Sequence, residues 1–457
     1  MRPRPLSDVA RAVEGTLHGE DVEVRSVSTD SRSVVPGALF IALGGMRADG
    51  HGFVEDAFAA GAVAAMVERD LAMSGPTVRV GSTSDGLMRL AAYERLGMNA
   101  TVVGITGANG KTSAKDLTAA VLGGHFRTHA SPGSFNNEIG LPLTILGADP
   151  DVEVVVAEMG ARRIGDVKLL SGIAQPGVVV VTNVGLAHME VFGSWPSIVE
   201  ASAEPVDALD ADGVAILNAD DPVVASYAAR CSGRVVTFGA GSRAGDPPDV
   251  RATDVTLDDE GRAAFRIAAG GLDAPVTLAI PGEHMVSNAL AAAAVGRELG
   301  VSLVDAAAAL GAASVSRWRM ESFTTRTGVR VVNDAYNANP ESTAAALRTA
   351  RRMAGDRRLI AVLGEMAELG PISQEEHERV GELVVRLHVD RLITVGEIAA
   401  AIGLAAVREG FEPHEVAACA DVADAVDEVL RSASPGDLVL CKGSRVAGLE
   451  RVAEALR

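Results

Sequence analysis

A chain of 457 residues is too long for one hydrophobic core and suggests about three domains. Hydrophobic residues at 48% are ample for packed cores, yet no run of about 18 apolar residues reads as a membrane span. A net charge of −19 offers no basic face to nucleic acid, so any anionic substrate must meet local cations instead. The three cysteines, Cys231, Cys419 and Cys441, are widely spaced without a C-x-x-C pair and fit a reduced compartment. The opening stretch MRPRPLSDVARAVEG has no apolar leader, so a cytoplasmic protein is expected.

Residues 1–98 alternate short apolar runs, such as GALFIAL and TVRV, with helical patterns ending in DGLMRLAAYERLG. That predicts a small α/β unit. Between its first strands lies Ser28-Thr29-Asp30-Ser31-Arg32, which reads either as a polar turn or as a set of donors and acceptors for a polar ligand.

The stretch TVVGITGANGKTSAKDL at 101–117 organises the middle of the chain. A β-branched run passes through Gly104, Gly107 and Gly110 to Lys111-Thr112-Ser113 and an amphipathic segment reaching Leu122, which is strand, glycine loop and helix. The spacing is G-x-x-G-x-x-G-K-T, with Ile105 where the strict phosphate-loop pattern has its first glycine. Loop N–H groups and a helix N-terminus make a concavity for a polyphosphate; Lys111 would reach the β- and γ-phosphates, and Thr112 would hold Mg²⁺. A nucleoside triphosphate with Mg²⁺ is therefore the expected ligand.

VEVVVAEMG at 152–160 and GVVVVTNVG at 177–185 are apolar on both faces, as buried parallel strands are. Ligands gather at the carboxyl ends of such strands, so Glu158 and Asn183 are expected beside the glycine loop. Glu158 could ligand Mg²⁺ or cap the following helix. His188, in LAHMEVFGS, stands on the same rim and reads as a metal or phosphate contact or as a structural residue. VRATDVTL and AAFRIAA flank Asp258-Asp259-Glu260-Gly261 as a hairpin, and HMVSNALAAAAVGREL returns to helix with Asn288 polar in an alanine-rich face.

After SRWRMES at 316–322, strands at VRVVND, RRLIAVLGEM, RLITVG and DLVLCKG alternate with helices, predicting a second doubly wound α/β domain. Asn333, Asp334, Tyr336, Asn337 and Asn339 crowd the end of its first strand, and Lys442-Gly443-Ser444-Arg445 ends its last.

The motifs GITGANGKT, SFNNEIGLPLT, AEMG, TNVGLAHMEVFGS, RWRME, NDAYNANPES, VLGEMAELG and CKGSR stand in the order of the Mur ligase family, which the chain resembles over nearly its whole length. STDSR, PGALF and ADGHGF are similar to the N-terminal domain shared by the MurE and MurF types, and DAYNANP to the MurF type. The resemblance implies three domains: residues 1–98 binding a UDP-sugar, residues 99–315 binding ATP on a mostly parallel sheet, and a Rossmann-like unit at 316–457 bringing the incoming amino acid or dipeptide.

It further implies an ATP-dependent amide ligase that adds D-Ala-D-Ala to a UDP-muramoyl tripeptide through an acyl phosphate, in peptidoglycan precursor synthesis. By motif, Lys111, Glu158 and His188 fall on catalytic positions, and Thr112, Glu158 and His188 on metal positions. Gly107, Asn109, Gly110, Lys111, Thr112, Ser113, Asn288, Arg319 and Asp334 fall on nucleotide positions, and Asp30, Ser31, Asn137, Tyr336 and Asn337 on substrate positions. A monomer without nucleic-acid or membrane partners is expected.

One departure stands out. In SIVEASAEP, Ser202 occupies the place of a lysine that is carbamylated in the family, and serine cannot form that carbamate. Glu200 and Glu204 lie two residues away and point elsewhere on a helix, which Pro205 is expected to bend or end. Two other readings therefore stay open: a relative joining a different amine acceptor, and a nucleotide-binding partner without turnover.

Overall fold

The computed structural model describes residues 1–45, 48–72, 75–241 and 247–457. Beside a two-stranded pairing of Arg4–Pro5 with Glu23–Val24, three larger sheets follow one another along the chain. The first has five strands in the order Thr16–His18, Thr77–Arg79, Ala64–Val67, Ala38–Ile41 and Ser26–Ser28, parallel except for the first. Helix Thr83–Leu96, with Ser82 accepting from Asp85 N–H at its start, leads from it to the second sheet.

The second sheet has nine strands. Thr101–Thr106 lies centrally between Val154–Glu158 and Val178–Val181, all parallel, as the unbroken valine runs require. Val214–Asn218, Arg234–Gly239 and Val250–Leu257 extend it in parallel, and Arg262–Ala269 and Leu272–Pro281 add an antiparallel edge. The hairpin at Asp258–Gly261 is present; its third strand was not legible as a separate element.

Alternation along the central strands divides two cores. Val103, Val154 and Val156 face the phosphate-loop helix Lys111–Gly123 and the alanine-rich helix His284–Glu298. Val102, Val155 and Ala157 face the other way, into a cluster that also contains Leu6, Leu87 and Leu90 of the first unit. The first sheet and the central sheet thus share a core.

The third sheet runs Glu321–Thr324, Arg330–Asn333, Leu438–Lys442, Leu359–Gly364, Arg391–Val395 and Val416–Cys419, parallel after its first strand. Its two outer strands are short and only partly buried, which is why their sequences carry no strong periodic signal. Among the described residues no helix is long and apolar enough to cross a membrane.

The helix holding Ser202 runs from Trp195 to Asp207. It passes Pro205 and ends two residues later, so the proline neither ends it at once nor is needed to. Buried packing of Ala201, Ala203, Pro205 and Val206 holds the last turn in place of the missing N–H bond.

Candidate active site

The carboxyl ends of the central strands are level, with Glu158 opposite Ile105 and Val181 opposite Thr106. Beyond them the backbone turns through Gly107 and Gly110, both at positive φ, and enters the helix at Lys111. Side chains already occupy the space where a Cβ would sit: Thr182 Oγ1 at Gly107 and the buried Asn288 amide at Gly110. Asn109 is fixed from behind, its N–H donating to Asn183 Oδ1 at 2.8 Å and its carbonyl accepting from Thr182 Oγ1 at 2.7 Å. The loop is rigid before any ligand arrives.

Lys111 Nζ donates to the Gly107 carbonyl at 2.6 Å, across the loop's mouth. Burial lowers its pKa below the usual lysine range and Arg319 adds to this, while Glu158 opposes both. Thr112 Oγ1 donates to Glu158 Oε2 at 2.8 Å and accepts from Arg319 at 2.7 Å, and Asn136 Nδ2 donates to Glu158 Oε1 at 2.8 Å. Ser113 is buried in the first turn of the same helix. Arg319 Nε is buried with no partner among the described residues, a donor left for an anion.

A cavity of about 1140 Å³ opens over these groups and takes walls from all three units. The third contributes Arg319, Asp334, Tyr336, Asn337 and Asn339. Lys442 Nζ pairs with Asp334 at 2.7 Å and donates to the Asn337 carbonyl at 2.8 Å, so one buried lysine shapes the polar loop. The Arg319 guanidinium stacks on the Tyr336 ring, 4.2 Å from its centre. Asn339 caps helix Pro340–Ala354 and donates Nδ2 to Asn109 Oδ1 at 2.8 Å, and Glu341 accepts from Leu186 N–H at 3.1 Å.

His188, at positive φ, lines the cavity and bonds through Nδ1 to the Glu368 carboxylate from the third unit. Burial lowers its pKa, opposed by Glu368 and reinforced by Lys111 and Arg162. Among the described residues no three His, Cys, Asp or Glu side chains cluster as a metal site. The donors that do converge, Thr112 and Glu158, are hard oxygens; they suit Mg²⁺ completed by phosphates and water, whereas a histidine engaged by Glu368 does not add to that set.

Asn137 lines the cavity, but its Oδ1 is occupied by Ile139 and Gly140 N–H groups. Asp30 and Ser31 lie in the first unit outside the cavity wall, and the Asp30 carboxylate binds the Arg32 N–H and guanidinium. That pairing holds its pKa down at about 2. Glu341 and Glu368 were missed as site residues, although NDAYNANPES and VLGEMAELG contain them, and Asn339 and Lys442 were singled out without a role; their roles depend on contacts across the chain.

Ser202 does not line the cavity; its hydroxyl donates to the Ile198 carbonyl at 2.8 Å. Glu200 pairs with Arg230, and Glu204 accepts from Lys168 N–H at 2.8 Å. Neither glutamate replaces the missing carbamate.

Residues 23–95 match the Mur ligase family catalytic domain, residues 105–296 the Mur ligase middle domain, and residues 318–445 the Mur ligase glutamate ligase domain. The chain belongs to the Mur ligase family. This Mur ligase is 42% identical to the UDP-N-acetylmuramoyl-tripeptide–D-alanyl-D-alanine ligase of Mycobacterium bovis, over 94% of this chain and 92% of that one. Its fold is similar to a crystal structure of MurF from Acinetobacter baumannii, with TM-score 0.88, 30% identity and coverage of 99% and 98%. It is also similar to MurF ligase from Thermotoga maritima in complex with ADP, with TM-score 0.81, 29% identity and coverage of 95% and 97%.

Proposed function

We propose that this Mur ligase uses ATP to join D-Ala-D-Ala to a UDP-N-acetylmuramoyl tripeptide in peptidoglycan synthesis. The observation that carries the reading is the single cavity in which Lys111, Thr112 and Glu158 meet walls from all three units, in a chain alike over its length to ligases of that activity. We assign residues 1–98 to the UDP-sugar, 99–315 to ATP and 316–457 to the dipeptide.

In the proposed reaction the tripeptide's terminal carboxylate attacks the γ-phosphorus, the bond to ADP breaks, and an acyl phosphate forms. The dipeptide amine then attacks the acyl carbon, and inorganic phosphate leaves from the tetrahedral intermediate. Lys111 and the orphaned Arg319 Nε supply positive charge where phosphoryl charge is transferred. Thr112 and Glu158 would hold Mg²⁺, which would supply further charge neutralisation there. His188, whose pKa burial lowers and whose Nδ1 is held by Glu368, would accept the proton that the amine sheds. Asn339, Glu341 and Glu368 close the third unit over the cavity and exclude water from the acyl phosphate.

The test is phosphate release by purified protein with ATP, Mg²⁺, UDP-muramoyl tripeptide and D-Ala-D-Ala, with mass detection of the pentapeptide product. Release with product is expected. Ser202, whose hydroxyl is spent on the Ile198 carbonyl while Glu200 and Glu204 are engaged elsewhere, favours a second reading in which another amine is the acceptor. Product with a different amine and none with D-Ala-D-Ala would select it.

A further inference from the structure

Nearly every charge lining the cavity has a partner. Lys111 and Arg319 are engaged at the phosphate loop, Asp334 holds Lys442, Asp166 holds Arg163 at 3.1 Å, and Glu450 holds Arg445 at 2.7 Å. The Arg162 side chain lines the same cavity, is exposed, and has no hydrogen bond or ion pair among the described residues. On the acidic side the position is mirrored: Glu158, Glu341 and Glu368 accept from groups described above, while Glu138 is exposed on the cavity wall with no partner among the described residues.

These two free charges stand on neighbouring loops. Asn136 and Gly160 join the loops directly, the Gly160 N–H donating to the Asn136 carbonyl at 2.7 Å, and Glu138 and Arg162 each follow two residues later. Both backbones are fixed. Asn137 Oδ1 accepts from Gly140 N–H at 2.9 Å beyond Glu138, and Asp166 accepts from the N–H groups of Arg162 and Arg163 at 3.0 and 3.1 Å. Glu204 ties down the same segment through Lys168 N–H at 2.8 Å. An arginine and a glutamate presented this way, yet not paired with each other, are arranged to receive a group carrying both charges.

The proposed reaction places such a group within reach. The reacting carboxylate must lie over Lys111, Thr112 and Glu158, and the side chain of the same terminal residue branches from the adjacent carbon. The loop carrying Arg162 begins immediately beyond Glu158. We propose that Arg162 and Glu138 read the side chain of the tripeptide's third residue as a zwitterion, Arg162 binding its distal carboxylate and Glu138 its ammonium. The substrate is then a tripeptide ending in a diamino dicarboxylic acid such as diaminopimelate. A lysine side chain would satisfy Glu138 alone and bring its ammonium toward an unmatched guanidinium, so attraction and repulsion select in the same direction.

This inference rests on the ligase reading above. Its test compares steady-state ligation of D-Ala-D-Ala to UDP-muramoyl tripeptides ending in diaminopimelate or lysine, by the unaltered protein, Arg162→Gln and Glu138→Gln. The unaltered protein should favour diaminopimelate by about 10-fold or more in kcat/KM. Arg162→Gln should lose at least about 10-fold for that substrate, through KM, while leaving the lysine substrate unchanged or improved. Glu138→Gln should weaken both. Equal loss for both substrates in Arg162→Gln would place Arg162 on a group they share, such as the reacting carboxylate, and overturn the proposal, as would no loss or a preference for lysine. Absence of turnover with either tripeptide in the unaltered protein would overturn the ligase reading and this inference with it.

Discussion

The central sheet meets its two neighbours through seams of different chemistry. Toward the first unit the seam is dry: Leu6, Leu87 and Leu90 share one cluster with Val102, Val155, Leu141 and Leu170. Toward the third unit, the cavity end of the seam is polar, with Asn339 on Asn109, Glu341 on Leu186 and Glu368 on His188. Away from the cavity that second seam is apolar as well, with Ala346, Leu347, Ala350 and Met353 in one cluster with Phe265, Leu278 and Ala313 of the central unit, and Arg330 is bound to Glu260 at 2.9 Å.

The difference bears on motion. Separating a dry seam exposes apolar surface at roughly 25 cal/mol per Å², whereas polar contacts exchanged for water cost only about 0.5–1.5 kcal/mol each. The cavity end of the third unit's seam is therefore expected to open more readily than the first unit's seam. The groups that hold the third unit shut are also the groups that line the cavity, so closure and assembly of the site are one event.

The largest effect should come from the point where both seams converge. Lys111→Ala removes the cation of the phosphate loop and should cut phosphate release by about 10³-fold or more, with circular dichroism and Tm nearly unchanged. Residual turnover within about 10-fold of the unaltered protein would remove Lys111 from the chemistry.

The dry seam is tested by Leu90→Ala, which opens a cavity in the shared core and should cost about 2–5 kcal/mol. Denaturant unfolding should show the first and central units weakened together; loss confined to one of them would mean that the two cores are independent. At the polar seam, Glu341→Ala, which removes the acceptor, should do the reverse. Ligation should fall by about 10-fold, while Tm moves by only about a degree or two, because Glu341 is exposed and bonds one N–H. A large drop in Tm with unaltered turnover would show that this contact is structural.

The smallest effect is one of pH. Burial lowers the pKa of His129, His188, His284 and His377, so the unfolded chain binds more protons than the folded one once the pH falls below about 6.5. Their contribution to stability is present above that pH and is lost as the pH falls toward the lowered folded values. Calorimetric Tm should drop by a few degrees between pH 7.5 and 5.5, beginning at the cavity, where His188 and His284 stand. Equal or higher Tm at pH 5.5 would reverse the assigned direction.

What could be read from adjacent residues was read correctly as structure. Thr101–Thr106, the glycine loop and the helix from Lys111 are set by local spacing, and Glu158 and Asn183 reach the loop because parallel strands end level. The lysine-to-serine departure at Ser202 was also visible, but its consequence was not; only the fold shows Glu200 spent on Arg230 and Glu204 on the loop before Lys168. Asp30 stands in a motif that also contains Arg32, but only the structure shows the two paired.

By itself the sequence determined the element types, the parallel central sheet, the phosphate loop and the family, because each depends on residue identity and short-range periodicity. The tertiary structure alone decided which apolar faces fuse, which polar side chains meet and which charges are left free. Asn109 meets Asn339 across 230 residues and His188 meets Glu368 across 180, and Arg162 and Glu138 stand on neighbouring loops without a side-chain partner among the described residues. Such facts belong to distance in space, which periodicity along the chain does not encode.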